Sequence, residues 1–326
     1  MWKLCRFVTV QIVVFALFAS TVISPIRIAA ADPDSQVSLD ERQVFALYFG
    51  WWTEETWTTD ERLTDVPARP YDVRDPADML QQIRAAESAG IDAFLVDWLG
   101  PDNITDEAFM ALLNAAETRD FKIAAVVDLN ERDYLSSMES IQDAMEVLFQ
   151  DRINHPAYLR VDDKPIIFFW AQERFTISQW QYVRNTFDPN HETIWLMEGT
   201  NMAYIPTFQG SYLFNVTFSN DPAEMMAYWQ NRGALNGGDL FLPTVTPGWD
   251  ESEFAGWRME ATQSRDRANG DFLQESWEAA TSLNTDAVLV VSWNGYFENS
   301  HVEPSSVFGT QTTDLLRELI AEWKSG

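Results

Sequence analysis

Gly90-Ile91-Asp92-Ala93-Phe94-Leu95-Val96-Asp97-Trp98 is the stretch on which the fold turns. Gly90 closes a helix-like segment that opens at Asp75-Pro76 and carries Met79, Ile83 and Ala86 on one face. From Ala93 the chain is apolar until it meets Asp97-Trp98. A run this short does not make a helix, and its continuity does not suit a strand with one wet face. It suits a strand buried on both sides, as in a parallel sheet covered by helices.

The same alternation extends in both directions. Apolar, β-rich runs recur at 45–49, 123–128, 166–170, 194–197, 212–218, 240–245 and 287–293. Between them lie helix-like segments at 105–118, 134–149, 178–187, 221–232, 271–283 and 312–323, with room for only a short helix after 194–197. Eight strands alternating with helices predict an α/β protein with a single-domain (β/α)8 TIM barrel over residues 43–326. An open doubly wound sheet is the competitor. It would carry a Gly-rich phosphate turn after the first strand, and Phe49-Gly50-Trp51-Trp52 contains none.

The N-terminus is a separate object. Lys3 and Arg6 precede an apolar run over 7–23, and Ala29-Ala30-Ala31 follows. Residues 1–31 therefore read as a secretory signal and 32–42 as a flexible leader, so the mature protein is expected to be secreted or periplasmic. A retained N-terminal membrane anchor is the alternative for an apolar run of this length. No later stretch predicts stable membrane insertion, and a monomer is expected. The only cysteine, Cys5, lies in the signal, which excludes disulfides, thiol nucleophiles and thiolate metal sites from the mature chain. A formal charge of −28 argues against nucleic acid or anionic lipid as partners. The aromatic load of 14 Trp, 21 Phe and 9 Tyr exceeds what packing requires and suits a cleft for sugar rings.

In such barrels the chemistry sits at the C-terminal ends of the strands. These ends are rich in acids and aromatics: Tyr48, Trp51 and Trp52, then Asp97 and Trp98, then Asp128, Asn130 and Glu131. Trp170 follows the fourth strand and Glu198 the fifth, while Trp249-Asp250 follows the seventh. The eighth ends in Asn294, Tyr296 and Glu298, with His301 and Glu303 behind them. A ring of carboxyls and aromatics fits glycoside hydrolysis, where one carboxyl protonates the leaving oxygen and a second serves the anomeric carbon. The bland alternative for any one acid is a helix cap or a rim ion pair, and Asp221 before Pro222 reads as a cap. Three histidines without paired spacing predict no metal site, and His155 before Pro156 reads as a loop residue. No G-x-S-x-G elbow is present.

Val291-Ser292-Trp293-Asn294-Gly295-Tyr296-Phe297-Glu298-Asn299-Ser300-His301-Val302-Glu303-Pro304 resembles the signature of glycoside hydrolase family 99, roughly S-F-N-E-W-H-E-G-T-Q-I-E-P. Three other stretches fit the same family in order. Residues 242–250 resemble its P-x-V-x-P-G-Y-D segment, and 90–98 its G-I-x-x-x-V-x-S-W strand. His155-Pro156-Ala157-Tyr158 with Lys164-Pro165 resembles its H-P-A-F…G-K-P approach to the fourth strand. The resemblance implies a barrel that cleaves within α-mannosidic chains with no metal or organic cofactor. It implies Glu298 as the acid/base. The family's other glutamate, the base on the sugar 2-hydroxyl, falls on Gly295, which has no side chain. Asp128 is the first substitute, with Glu131, Glu198 and Asp250 behind it. The expected catalytic set is thus Glu298, Asp128 and Glu198, and the remaining rim residues are expected to bind a carbohydrate substrate. A carbohydrate-binding protein that has lost its chemistry, and a module of surface-polysaccharide assembly, are the competing functions.

Overall fold

The computed structural model describes residues 41–131, 133–253 and 263–326, which lie within one compact unit. The expected signal and nearly all of the leader lie outside the described residues. Eight parallel barrel strands follow the chain: β1 (Gln43–Phe49), β2 (Ala93–Trp98), β3 (Lys122–Asp128), β4 (Lys164–Trp170), β5 (Ile194–Glu198), β6 (Gly210–Tyr212), β7 in two halves (Leu240–Leu242 and Thr244–Val245) and β8 (Ala287–Val290). Each pairs in parallel with its neighbours in chain order, and β8 pairs with β1 from Gln43↔Ala287 to Ala46↔Val290.

Closure runs through Pro243. The first half of β7 pairs with β6, the second with β8, and proline between them has no N–H for the ladder. Its carbonyl still serves, accepting from Leu289 N at 2.9 Å. The expected continuous strand over 240–245 is thus one strand interrupted at a single residue.

The sixth strand is the largest departure from expectation. It occupies Gly210–Tyr212 rather than 212–218. A Cβ on Gly210 would stand 2.5 Å from the Leu240 carbonyl oxygen, so glycine permits the close approach at which pairing begins. Beyond Tyr212 the apolar run leaves the sheet. Asn215 Oδ1 accepts from the Thr217 amide and hydroxyl to make a turn, and Phe218 is 62% exposed.

The helices begin where their caps dictate. Asp75 accepts from Ala77 N ahead of Pro76–Ser88, and Asn103 accepts from Thr105 N ahead of Ile104–Ala116. Ser137 and Ser140 form a reciprocal cap, so the segment expected at 134–149 starts at Met138. Asp221 caps Pro222–Leu235 by accepting from Glu224 N at 2.9 Å, the structural role expected of it. The connection after β5 holds only a 3-10 turn at Met202–Tyr204 that runs into one α-helical turn, Ile205–Phe208. No helix among the described residues is long and apolar enough to cross a membrane.

Candidate active site

Strand alternation sorts the residues at the strand ends into two layers. On β2, Trp98 turns outward, packing its ring 6.1 Å from Phe109 and donating Nε1–H to Asp106 of the covering helix at 2.9 Å. Asp97, one residue earlier, therefore faces the barrel interior. It is fully buried, and neither carboxyl oxygen has a hydrogen-bond partner among the described residues. Burial pushes its pKa well above the usual carboxylate range, and the charges of Asp128, Glu298 and Glu131 push in the same direction. These four carboxyls, from the ends of β2, β3 and β8, thus share one electrostatic site.

Asp128 is buried at the end of β3, where its Oδ1 accepts from Asn130 N at 2.6 Å. Asn130 and Glu131 lie on the exposed rim. Glu298 is half-buried, and its loop is fixed from the side: Asp250 N donates to the Glu298 carbonyl at 2.7 Å, and Asn299 Nδ2 donates to the Asp250 carbonyl at 2.9 Å. Asp250 itself is exposed, so its backbone, rather than its carboxyl, supports the acid. The strap that carries Trp249 and Asp250 pairs antiparallel with Ser264–Arg265.

A second wall is aromatic. Trp170 stacks on Phe214 with centroids 4.4 Å apart, and Phe214 meets Trp249 edge-on at 5.7 Å. Glu198 sits beside this wall, accepting from Phe214 N at 3.3 Å, and burial raises its pKa to about 7. Tyr212 joins the two regions, since its phenol feels Glu198, Asp97 and Asp128 together. On the other side, Trp51 lies against Phe49 at 4.7 Å and Phe297 at 6.5 Å, with the Arg62 guanidinium 4.6 Å above the Phe297 ring.

Seven residues expected to bind substrate do not reach this mouth. Tyr48 is fully buried and points its hydroxyl at Met79 in the helix layer, and Trp98 faces that layer as well. Trp52 is buried in an aromatic cluster, stacked on Trp57 at 4.5 Å and donating to the Asn294 carbonyl. Asn294 spends its amide on the backbone of Phe49, accepting at 2.7 Å and donating at 3.0 Å, and donates a second time to Tyr71. Its role is to sew the end of β8 to β1. Tyr296 stacks on His301 at 4.1 Å, and His301 Nε2 bonds Asp65 at 3.0 Å. Burial lowers the His301 pKa to about 4, so this imidazole is neutral. Glu303, buried beneath, accepts from Tyr71 at 3.1 Å, and burial raises its pKa to about 8. These groups form a polar layer under the loop that carries Glu298.

Position 295 is closed as well as bare. A Cβ there would lie 2.3 Å from Ser292 Oγ, 2.5 Å from Ser300 Oγ and 3.0 Å from Phe49. The two hydroxyls are 2.9 Å apart, and Ser292 Oγ accepts from Gly295 N at 2.7 Å. Sequence reading missed Phe214 because it fell inside the expected sixth strand, and it missed Phe297 and Arg62. An aromatic at the true end of β6 was the available signal for the first. Among the described residues, no three His, Cys, Asp or Glu side chains are arranged to hold a metal ion.

The model of glycosyl hydrolase family 99 matches residues 67–317. A human glycoprotein endo-alpha-1,2-mannosidase-like protein is 22% identical over 262 residues, covering 72% of this chain and 55% of that protein. A Penicillium rubens mutanase is 23% identical over 281 residues, covering 76% of this chain and 58% of its own length. The chain thus spans little more than half the length of the curated relatives it matches. The solved GH99 endo-alpha-mannosidase from Bacteroides thetaiotaomicron superposes with a TM-score of 0.73 at 18% identity, over 87% of this chain and 98% of that one, a likeness of fold. Since the family model covers most of its length and its barrel is the family's, this chain belongs to glycosyl hydrolase family 99.

Proposed function

We propose that this protein is an exported hydrolase that cleaves within α-linked, mannoside-type sugar chains, with Glu298 protonating the leaving glycosidic oxygen. The observation that carries the reading is the placement of Glu298. It lies at the C-terminal mouth of a family 99 barrel, in one electrostatic site with Asp97 and Asp128. A general acid must stand where the leaving oxygen will lie, and the mouth at the C-terminal ends of the strands is where barrels of this kind place their chemistry. The half-buried Trp170 and Phe214, backed by Trp249, offer apolar rings to pyranose faces, and Trp51 with Phe297 offers a second set. Export is proposed from the charged start, apolar run and small-residue stop of residues 1–31.

The test is hydrolysis of an α-mannan and α-glucan panel by the native protein and by Glu298→Gln, followed as released oligosaccharides. Loss of turnover by about 10²-fold or more in the variant, with binding retained, is expected for a general acid. An unchanged rate would remove Glu298 from the mechanism. One observation favours a second reading: a side chain at position 295 would have to displace the Ser292 and Ser300 hydroxyls. A protein that binds one of these polymers and yields no product across the panel would be a carbohydrate-binding relative that has lost its chemistry.

A further inference from the structure

We propose that Asp97 is the catalytic partner of Glu298, taking the proton from the oxygen that attacks the anomeric carbon. The inference rests on the hydrolase reading above. Two carboxyls are needed on opposite duties, and the place where the family pattern carries the second is sealed by Ser292, Ser300 and Phe49. The same pattern has serine where this chain has Asp97. The two departures are complementary, one carboxyl lost at the end of β8 and one gained at the end of β2.

The state of Asp97 argues for use rather than for structure. A buried acid that held the fold together would be hydrogen-bonded, since a dry, unpartnered polar group destabilises the fold. Asp97 has no solvent contact and no partner for either oxygen among the described residues, although caps and turns elsewhere satisfy their acids well. Its oxygens face the barrel interior, in the electrostatic reach of Asp128 and Glu298. Asp128 is a weaker candidate because Asn130 N already occupies one of its oxygens. Glu198 lies on the aromatic wall and is tied to Phe214 N.

In the reaction, a water molecule passes one proton to Asp97 as its oxygen bonds the anomeric carbon, so that the hydroxyl ends on that carbon. The bond from that carbon to the leaving oxygen breaks, and the leaving oxygen takes the proton of Glu298. Asp97 must first be ionised. The groups that oppose this are Asp128 and Glu131 from the end of β3 and Glu298 from the end of β8, with the neutral Tyr212 phenol on β6 beside them. Positive charge developing at the anomeric carbon favours the carboxylate.

The experiment compares native protein, Asp97→Asn, Asp97→Ser and Glu298→Gln on an α-mannan and on α-mannobiosyl fluoride, whose leaving group needs no proton. Glu298→Gln should fail on the mannan and recover on the fluoride to within about tenfold of the native rate. Asp97→Asn should lose about 10³-fold or more on both, while melting at the same temperature or higher. Asp97→Asn within tenfold of the native rate overturns the inference and leaves the hydrolase reading standing. A lower melting temperature in both Asp97 variants assigns the residue to structure and also overturns it. A native protein inactive on both substrates overturns the hydrolase reading, and this inference with it.

Discussion

At the scale of single residues, Gly295 decides most. Its missing side chain reads from the sequence as a lost function, and the surrounding atoms show a position built around the loss. The Ser292 and Ser300 hydroxyls occupy the space and bond each other, and that of Ser292 also accepts from the Gly295 amide. Gly295→Ala is therefore expected to lower stability by about 1–3 kcal/mol, as overpacking does, measurable by urea unfolding. Gly295→Glu should destabilise further and restore no activity. A well-folded Gly295→Glu with raised turnover would show that the serines yield readily and that the family's arrangement is still latent. Glu298 was legible because a contiguous motif carries it. The standing of Asp97 was not, because its dryness depends on what the ends of three other strands place around it.

At the scale of elements, the loop after β8 is a device for holding one acid still. Asn294 is sewn to β1, the Asp250 amide holds Glu298 from the side, and Arg267 donates to the carbonyls of Asn299 and His301. Below lies Glu303, whose burial makes the loop sensitive to pH. In the unfolded chain Glu303 gives up its proton near 4.5, whereas in the folded protein it keeps it to about 8. Between those values the folded state holds a proton that the unfolded state has lost. Stability therefore falls as pH rises through this window. Glu198 acts with the same sign up to about 7. His301 acts with the opposite sign, staying neutral when folded down to about 4, but only below its ordinary value of 6.5. Between pH 6.5 and 8 the native protein should lose stability and Glu303→Gln should lose distinctly less, in urea titrations at the two ends of the range. Equal slopes would mean that Glu303 is already ionised in the fold. The motif located these residues, yet their grouping at strand ends made them look substrate-facing. Which face of a strand end a side chain takes depends on register, and the apolar runs over 212–218 and 240–245 show how register is lost in sequence. An apolar loop lining a cleft and a buried strand have the same composition.

At the scale of the whole molecule, the alternation of strand-like and helix-like runs was enough for the barrel. A closed parallel sheet is the arrangement in which eight such units bury both faces of every strand. What alternation could not supply was how the ring closes at Pro243. Composition speaks at this scale too. A chain with 50 acidic and 22 basic side chains repels itself when compact, and the described ion pairs are mostly short-range or partly exposed, such as Asp72–Arg74 and Asp314–Arg317. Added salt should therefore stabilise the fold, because screening shortens the reach of repulsion from about 10 Å at 0.1 M to about 3 Å at 1 M. The few exposed pairs it weakens are each worth about 1 kcal/mol or less. The melting temperature should rise by several degrees between 0.05 and 1 M sodium chloride. Sodium chloride is chosen over sulfate, which strengthens burial in any protein. A flat or falling curve would mean that the acidic side chains are spaced widely enough for the ion pairs to outweigh their repulsion, and that the charge serves solubility alone.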